Sequence, residues 1–207
     1  MSIPPPPPPP PPPQAPAAHT GDAPSVWVLR FMPLIKHGGS VLDLAAGHGR
    51  HARILARAGL TVEAVDRNPA ALDALRGVDG VHAHAADIEA GSWPYAGRRF
   101  DAVLVTNYLW RPLFPALVGA LAAGGVLIYE TFGLGNERFG KPSNPEFLLR
   151  PGELLEVARQ SGLGVVAFES GMVSHPRAAI VERICARRRD IEAPPARLDA
   201  AADPDTF

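Results

Sequence analysis

Short apolar runs and amphipathic segments alternate along the middle of this chain. Five short segments predict strands, and all but the third are apolar runs, as expected of strands that are covered on both faces. They are residues 41–44, 61–65, 81–85, 100–106 and 126–131. Segments with helical spacing of apolar residues separate most of these runs, which predicts an α/β domain with a mainly parallel sheet.

The helical segments have identifiable beginnings and ends. Ser25 is placed to cap a helix that runs to about Leu34 and is kinked at Pro33. Another helix begins near Pro115, and two glycines predict its end near residue 123.

The last part of the domain breaks the alternation. A helix that begins near Glu153 is followed by two apolar strands, 163–168 and 177–185, with no helix between them. Consecutive strands joined by a turn pair in antiparallel fashion. The sheet is therefore predicted to end in an antiparallel hairpin.

Residues 40–52, SVLDLAAGHGRHA, join the first strand to the next helix through a turn of small residues. Glycines let a ligand approach the backbone, and the N–H groups at a helix start point at it. The spacing from Gly47 to Ala52 is G-x-G-x-x-A, as in dinucleotide-binding proteins. Asp43 at the strand end favours a second class of ligand, because an acid suits the ammonium and sulfonium of S-adenosylmethionine.

Two more carboxylates follow strands at the same edge of the predicted sheet. Asp66 ends the second strand, where an acid accepts both hydroxyls of a ribose in either cofactor class, or where Asp66 or Asn68 only caps the next helix. Asp87 follows the third strand, where a dinucleotide enzyme has less use for an acid. His82 and His84 are two apart on a strand without a third ligand, so no metal site is predicted.

From about residue 23 to 187 the chain resembles the class I S-adenosylmethionine-dependent methyltransferase superfamily. The resemblance rests on DLAAGHGR at 43–50, Asp66, Asp87 and the terminal hairpin. It implies a Rossmann-like, doubly wound sheet of seven strands in the order 3-2-1-4-5-7-6, with the last strand antiparallel. The small size is most similar to the tellurite-resistance/thiol methyltransferase-like branch.

The resemblance also implies S-adenosylmethionine as the cofactor and a set of residues that would bind it. Asp43, Asp66 and Asp87 would hold the amino-acid, sugar and base portions in turn. Ala45 replaces the usual glycine and would crowd the methionine end. The full set is Asp43, Ala45, Gly47, Gly49, Asp66, Arg67, Asp87, Ile88 and Asn107.

The methyl acceptor is expected at the end of the fourth strand, where the transferred group would emerge. Residues 133–150 are polar and glycine-rich, which is typical of a lid or binding loop, or of a passive surface connection. Trp27 precedes the first strand and either lines the pocket or packs in the core. The predicted substrate contacts are Trp27, Tyr108, Arg111, Asn136 and Arg138.

The need for a general base depends on the acceptor atom. A thiolate or chalcogenide acceptor would need none, whereas an oxygen or nitrogen acceptor would need one nearby. Tyr108 and Glu130 are the candidate catalytic residues. Asn107 lacks the neighbouring prolines that mark some amine-directed methyltransferases, so the sequence predicts no specific substrate.

The composition limits the partners and the cellular location that can be expected for the protein. The formal net charge of −1 argues against a nucleic-acid or anionic-membrane partner, and the single cysteine, Cys185, excludes an intrachain disulfide. No apolar run approaches the roughly 18 residues of a membrane span. A small-molecule substrate and a cytoplasmic location are therefore expected.

Both ends of the chain differ from the domain between them. Residues 1–22 contain an unbroken proline run at 4–13, which predicts a disordered, extended tail. That tail is either a docking segment for a proline-binding partner or dispensable. Residues 188–207 are predicted to be a second disordered tail, and residues 23–187 the methyltransferase domain.

Three functions remain open at this point. The leading one is in-line transfer of a methyl group from S-adenosylmethionine to a small molecule, with an RNA or protein acceptor as a variant. The second is an NAD(P)-binding Rossmann oxidoreductase, although none of the positions four residues after Tyr95, Tyr108 and Tyr129 is the lysine of a short-chain dehydrogenase. The third is a non-catalytic, cofactor-binding interaction protein.

Overall fold

The computed structural model describes residues 23–189. The proline-rich tail 1–22 and residues 190–207 lie outside this range, and so do the predictions made for them. The last described strand ends at Arg187, which is also the predicted domain boundary.

The described chain forms one seven-stranded sheet with the order β3-β2-β1-β4-β5-β7-β6. The strands are β1 Ser40–Leu44, β2 Thr61–Asp66, β3 Val81–Ala85, β4 Phe100–Thr106, β5 Leu121–Phe132, β6 Gly164–Val173 and β7 Ala179–Arg187. Strands β1 to β5 pair in parallel, and β7 is antiparallel to both β5 and β6. The predicted strand order and the antiparallel end are thus confirmed.

Residues 23–189 form five short α-helices, of which the first precedes β1 and the other four connect strands, and 3₁₀ turns extend several of them. The helices are α1 Val26–Phe31, α2 Arg50–Arg57, α3 Pro69–Leu72, α4 Phe114–Gly119 and α5 Glu153–Gln160; the 3₁₀ turns are Met32–Leu34, Asp73–Leu75, Arg111–Leu113, Asn136–Arg138 and Pro145–Phe147. Ser25 is the N-cap of α1, since its Oγ accepts a hydrogen bond from the Trp27 N–H at 3.1 Å. Pro33 lies in the 3₁₀ turn that ends this helix.

The prediction of a helix from Pro115 to about residue 123 was wrong at its end. Helix α4 stops at Gly119, and β5 already begins at Leu121. Leu121 pairs with Phe100, and the register shifts before the next pair. A Cβ on Gly125 would lie only 3.0 Å from the Phe100 carbonyl oxygen, so the glycines form an irregularity within β5 instead of a helix end.

Apolar side chains cover both faces of the sheet, because successive residues of a strand point to opposite sides. Val103 of β4 packs in a cluster with Leu117 of α4. The next residue, Leu104, packs in a second cluster with Phe31 of α1 and Leu55 of α2. The site described below lies at the carboxyl edge of the sheet, and part of it faces α1 and α2.

Candidate functional site

The turn after β1 is held tightly against the end of β2. Ala45 and Gly47 both have positive φ angles, +54° and +55°. The Ala46 N–H donates to the Val65 carbonyl oxygen at 3.0 Å. A Cβ on Gly49 would lie 2.2 Å from a methyl carbon of Leu75, so this position requires glycine. The turn therefore exposes backbone to a ligand while its own path is fixed.

Asp66 connects this turn to the following segment. Its Oδ2 accepts from the Gly47 N–H at 2.8 Å, and its Oδ1 accepts from the Asn68 N–H at 2.9 Å. Asn68, and not Asp66, is the N-cap of α3, because its Oδ1 accepts a hydrogen bond from the Ala70 N–H at 3.1 Å. Each carboxylate oxygen of Asp66 retains a lone pair that a hydroxyl group can use.

Asp43 is buried on the face of the sheet that α1 and α2 cover. Asp43 is only 1% exposed, and its Oδ2 has no hydrogen-bond partner among residues 23–189. Burial raises the pKa of Asp43 to about 7, although the charge of Arg50 and the Ala52 N–H oppose that rise. An orphaned buried carboxylate oxygen is unusual in native proteins and points to a missing cationic or donor partner.

Asp87 lies at the neighbouring strand end. Its Oδ1 accepts from the Glu89 and Ala90 N–H groups at 2.9 and 3.1 Å, and these bonds lower its pKa. Ile88 is buried next to it, at 8% exposure. Arg67 is exposed and contributes a favourable charge to Asp87. The predicted ribose and adenine acids thus lie at the ends of adjacent parallel strands, β2 and β3.

His51 was overlooked in the sequence, where it only counted as a spacer in the glycine motif. It is 2% exposed, and its Nε2 accepts from the Ser25 N–H at 3.0 Å. Its Nδ1 lies 3.4 Å from Thr106 Oγ1. Burial and the charge of Arg50 lower the pKa of His51 to about 3, so the imidazole is neutral. A histidine in the first turn after a glycine motif could have been the signal.

The two candidate general bases are already engaged. Glu130 accepts from Ser25 Oγ at 2.7 Å and from Arg183 at 3.0 Å. The Tyr108 hydroxyl donates to Glu89 at 3.1 Å, and burial followed by the Glu89 charge raises its pKa. A phenol with a raised pKa is not a base at neutral pH. The structure therefore supports neither prediction of a general base.

Arg111 and Asn136 hold the chain together at the places where they were predicted to touch substrate. Arg111 forms a bidentate pair with Glu153, at 2.7 and 3.0 Å, and donates to the Glu146 and Leu148 carbonyl oxygens. Asn136 is 1% exposed and bonds to backbone groups of residues 142 and 180. Both side chains are engaged by these partners, and a contact of either one with substrate stays a prediction.

The other predicted contacts divide in two. Trp27 is 1% exposed and its indole N–H donates to the Ile184 carbonyl oxygen at 3.2 Å, which fits the second of its two predicted roles, packing in the core. Arg138 is exposed, and its Nε lies 3.4 Å from the Gly135 carbonyl oxygen. Asn107 is half-buried directly after β4, with φ of +55° and its N–H donating to the Glu130 carbonyl oxygen.

The loop 133–150 folds back on the end of β5. Gly133 and Leu149 form a parallel bridge, and the Leu149 N–H donates to the Phe132 carbonyl oxygen at 2.8 Å. Arg111 fixes its far end. The loop borders the carboxyl edge on the β5 side, where the acceptor was expected.

Within residues 23–189, no three His, Cys, Asp or Glu side chains are grouped so that they could hold a metal ion. In the same range, no helix is both long and apolar enough to cross a membrane.

Part of the chain matches a known protein family. Residues 41–125 match the sequence model of a methyltransferase domain family. No curated protein sequence matches the chain.

Several solved structures share the fold. TehB from Haemophilus influenzae superposes with a TM-score of 0.66 at 18% identity, over 78% of this chain and 61% of TehB, so the chain spans less than two thirds of that protein. An S-adenosylmethionine-dependent methyltransferase from Mesorhizobium loti gives 0.61 at 20% identity, over 78% of this chain and 96% of that protein. A TehB-like methyltransferase from Corynebacterium glutamicum gives 0.59 at 18% identity, over 79% and 88%.

At 18–20% identity, the structural likeness shows the fold alone. The domain match is what indicates a methyltransferase. The glycine turn, the acids at successive strand ends and the antiparallel last strand agree with both. Residues 41–125 therefore match a methyltransferase domain family, and residues 23–189 have the fold of S-adenosylmethionine-dependent methyltransferases.

Proposed function

We propose that this methyltransferase methylates a small molecule held at the carboxyl ends of β4 and β5, by in-line displacement. The observation that carries the proposal is the row of three carboxylates, Asp43, Asp66 and Asp87, at or just beyond the carboxyl ends of three adjacent parallel strands. They stand at one edge of the sheet, as the binding sites of open α/β sheets do.

The donor set fits the cofactor from one end to the other. Asp43, with its unpartnered Oδ2, would accept the cationic amino-acid end. Asp66 has lone pairs for the ribose hydroxyls, although the Gly47 and Asn68 N–H groups already use one on each oxygen. Asp87 would accept the adenine amino group through Oδ2, since its two backbone bonds go to Oδ1, with Ile88 against the base.

When bound, the cofactor supplies a methyl group on a positively charged sulfur. The protein then has to hold two reactants in line and keep water out, which alone can account for a large part of the barrier lowering. Thr106 and Asn107 end β4, and the fixed loop 133–150 borders the β5 side. This folded border supports a small acceptor, and the net charge of −1 offers no footprint for RNA.

The state of the candidate bases supports an acceptor that needs no base. Glu130 is paired with Arg183, and the raised pKa of Tyr108 removes it as a base. A thiol ionises near pH 8.5 and its thiolate is already a strong nucleophile. We infer a thiol or another soft, anionic acceptor.

Calorimetry with S-adenosylmethionine, S-adenosylhomocysteine and NAD tests the cofactor site. Asp66→Ala should weaken binding of S-adenosylhomocysteine by roughly 1.5–3 kcal/mol, about 10- to 150-fold, the value of hydrogen bonds to a charged group. Asp79→Ala is the matched control, because Asp79 is exposed and lies in the turn before β3. Equal affinity of the Asp66 variant and the wild type for S-adenosylhomocysteine would show that Asp66 does not bind the ribose.

The acceptor is tested by following S-adenosylhomocysteine formation with small thiols, phenols and amines between pH 6 and 9. With a thiol, the rate should rise with the thiolate fraction of the acceptor and should be indifferent to Tyr108→Phe. Turnover of amines or phenols alone would contradict a soft acceptor.

A further inference from the structure

Three polar residues of the sheet edge face α1 and α2. They are Asp43 of β1, Thr106 of β4 and Glu130 of β5, and Thr106 and Glu130 stand opposite each other in the strand register. Their side chains lie on the same sheet face, because each follows its strand neighbours in the α1 and α2 cluster by two residues. This row of polar groups needs partners from the helices above it.

Ser25 supplies some of these partners. Its backbone N–H donates to His51 Nε2 at 3.0 Å, and its hydroxyl donates to Glu130 Oε1 at 2.7 Å. Two residues earlier, the Ala23 carbonyl oxygen accepts from Arg50 at 3.4 Å. The segment 23–25 is therefore fastened to the first turn of α2 on one side and to the end of β5 on the other; we call these contacts the Ser25 latch.

The latch works only with a neutral imidazole. Because His51 Nε2 accepts from the Ser25 N–H, the ring proton must be on Nδ1, which then donates toward Thr106 Oγ1 at 3.4 Å. A protonated ring would present a donor to the Ser25 N–H and could not accept from it. The charges that face the ring are Arg50 beside it and, across the Ser25 hydroxyl, the Glu130–Arg183 pair.

The latch also lies between the glycine turn and the end of β4. His51 follows the glycine turn by two residues, on the side of the methionine portion of the cofactor. Thr106 ends β4, where the methyl group would emerge. The segment 23–25 bonds to His51 and Glu130, and it therefore lies on the sheet face that Asp43 shares.

We propose that His51 and Ser25 are positioning residues that hold the segment 23–25 closed over the cofactor, and that opening of this latch sets the rate of cofactor exchange. The proposal rests on the cofactor placement given under Proposed function. Neither residue touches the reacting atoms; both act through the position of the segment.

Acid should open the latch. Once the segment moves, His51 meets water and regains an ordinary pKa of about 6.5, so that at pH 5.5 roughly nine-tenths of the open form is protonated. That favours opening about tenfold relative to pH 8. The pKa of Asp43 on the same sheet face is also raised, to about 7, and a variant that alters only His51 separates the contribution of Asp43.

The experiment measures the dissociation rate of S-adenosylhomocysteine by stopped-flow displacement from the full-length protein. His51→Gln keeps an acceptor and a donor but does not titrate, whereas His51→Phe offers neither. At pH 8, His51→Phe should release the ligand about tenfold faster than the wild type, and His51→Gln within about threefold, as expected for losing or keeping one buried hydrogen bond. From pH 8 to 5.5 the wild-type rate should rise about tenfold more than that of His51→Gln.

Each outcome decides one point. Parallel pH profiles of the wild type and His51→Gln would overturn the latch, and so would a wild-type rate in a folded His51→Phe. If His51→Phe fails to fold by circular dichroism, the His51→Gln profile still decides. Weak binding by Asp66→Ala together with unchanged exchange in the His51 variants would reject the latch alone, while normal binding by Asp66→Ala would reject the cofactor placement.

Discussion

The two halves of the carboxyl edge differ in how their polar groups are used. Along β1 to β3, Asp43, Asp66 and Asp87 keep acceptor positions that the described protein groups leave open. Along β4 and β5, Glu130 and the nearby Arg111 are saturated by intramolecular bonds. We therefore propose that the first half receives the ligand and that the second half forms a fixed wall.

This difference suggests that one half of the edge binds the cofactor and the other half shapes the site. The open acids offer charge and hydrogen bonds to a cofactor with several polar groups. The saturated half offers a preformed border, whose value for methyl transfer is orientation and exclusion of water. Substitutions in the two halves should therefore separate into changes of ligand affinity and changes of stability.

The largest expected effect concerns Asp43→Asn. The folded-state pKa of Asp43 is raised to about 7 from 3.8, so its stabilising contribution is complete below pH 3.8 and is lost as the pH rises through 7. The wild type should lose up to roughly 4 kcal/mol relative to Asp43→Asn between pH 4 and 8. Urea unfolding across this range measures the difference, and parallel pH profiles of the two proteins would show that Asp43 is not a strained acid.

The same variant sharpens the ligand side of the comparison. A cationic ligand lowers the pKa of a nearby acid. Binding of S-adenosylmethionine to the wild type at pH 6 should therefore release protons, and binding to Asp43→Asn should release fewer. Calorimetry in buffers of different ionisation enthalpy counts them, and S-adenosylhomocysteine, which lacks the sulfonium charge, is the matched ligand.

Arg111→Ala tests the fixed wall. Glu153 has only 6% of its side chain exposed and would lose its bidentate partner, while Arg111 is 30% exposed. We expect a loss of about 2 kcal/mol in the free energy of unfolding, below the 3–5 kcal/mol of a fully buried pair. Arg159→Ala removes a surface pair with Glu156 and should change little. At low temperature, the affinity of Arg111→Ala for S-adenosylhomocysteine should stay close to that of the wild type; a large drop would erase the contrast between the two halves.

Ala45→Gly is expected to be stabilising. Ala45 has a φ of +54°, a region that costs a residue with a Cβ about 1 kcal/mol relative to glycine. The variant should gain up to about 1 kcal/mol of unfolding free energy, less what the more flexible unfolded chain takes back. Thermal unfolding measures the gain, and a clear loss would mean that the Ala45 methyl group makes contacts worth more than the strain.

The smallest effect is expected for Tyr108→Phe. The variant loses one hydrogen bond to Glu89, worth about 1 kcal/mol. Because Tyr108 is not a base, kcat with a thiol acceptor should remain within about threefold of the wild type. A drop of 100-fold or more in kcat would return Tyr108 to a catalytic role and make the second half of the edge chemically active.

Local patterns in the sequence predicted the strands and the acids at the sheet edge, whereas the order of the strands was implied by the family resemblance. Short segments bounded by turns predict strands, and an acid that ends or closely follows such a strand lies at the sheet edge, so Asp66 and Asp87 could be placed from spacing. The cap of α1 at Ser25 is equally local. The end of α4 is not a local feature, because the glycines near residue 125 belong to the irregular part of β5 that pairs with β4.

Only the tertiary structure decided which polar side chains remain open to a ligand. Arg111 meets Glu153 across 42 residues, Trp27 meets the backbone of Ile184 across 157, and His51 meets Ser25 across 26. Nothing in the neighbouring sequence of these residues distinguishes a side chain that faces substrate from one saturated by a distant partner. The sequence determined where chemistry could occur at the sheet edge, and long-range packing determined which groups are left to perform it.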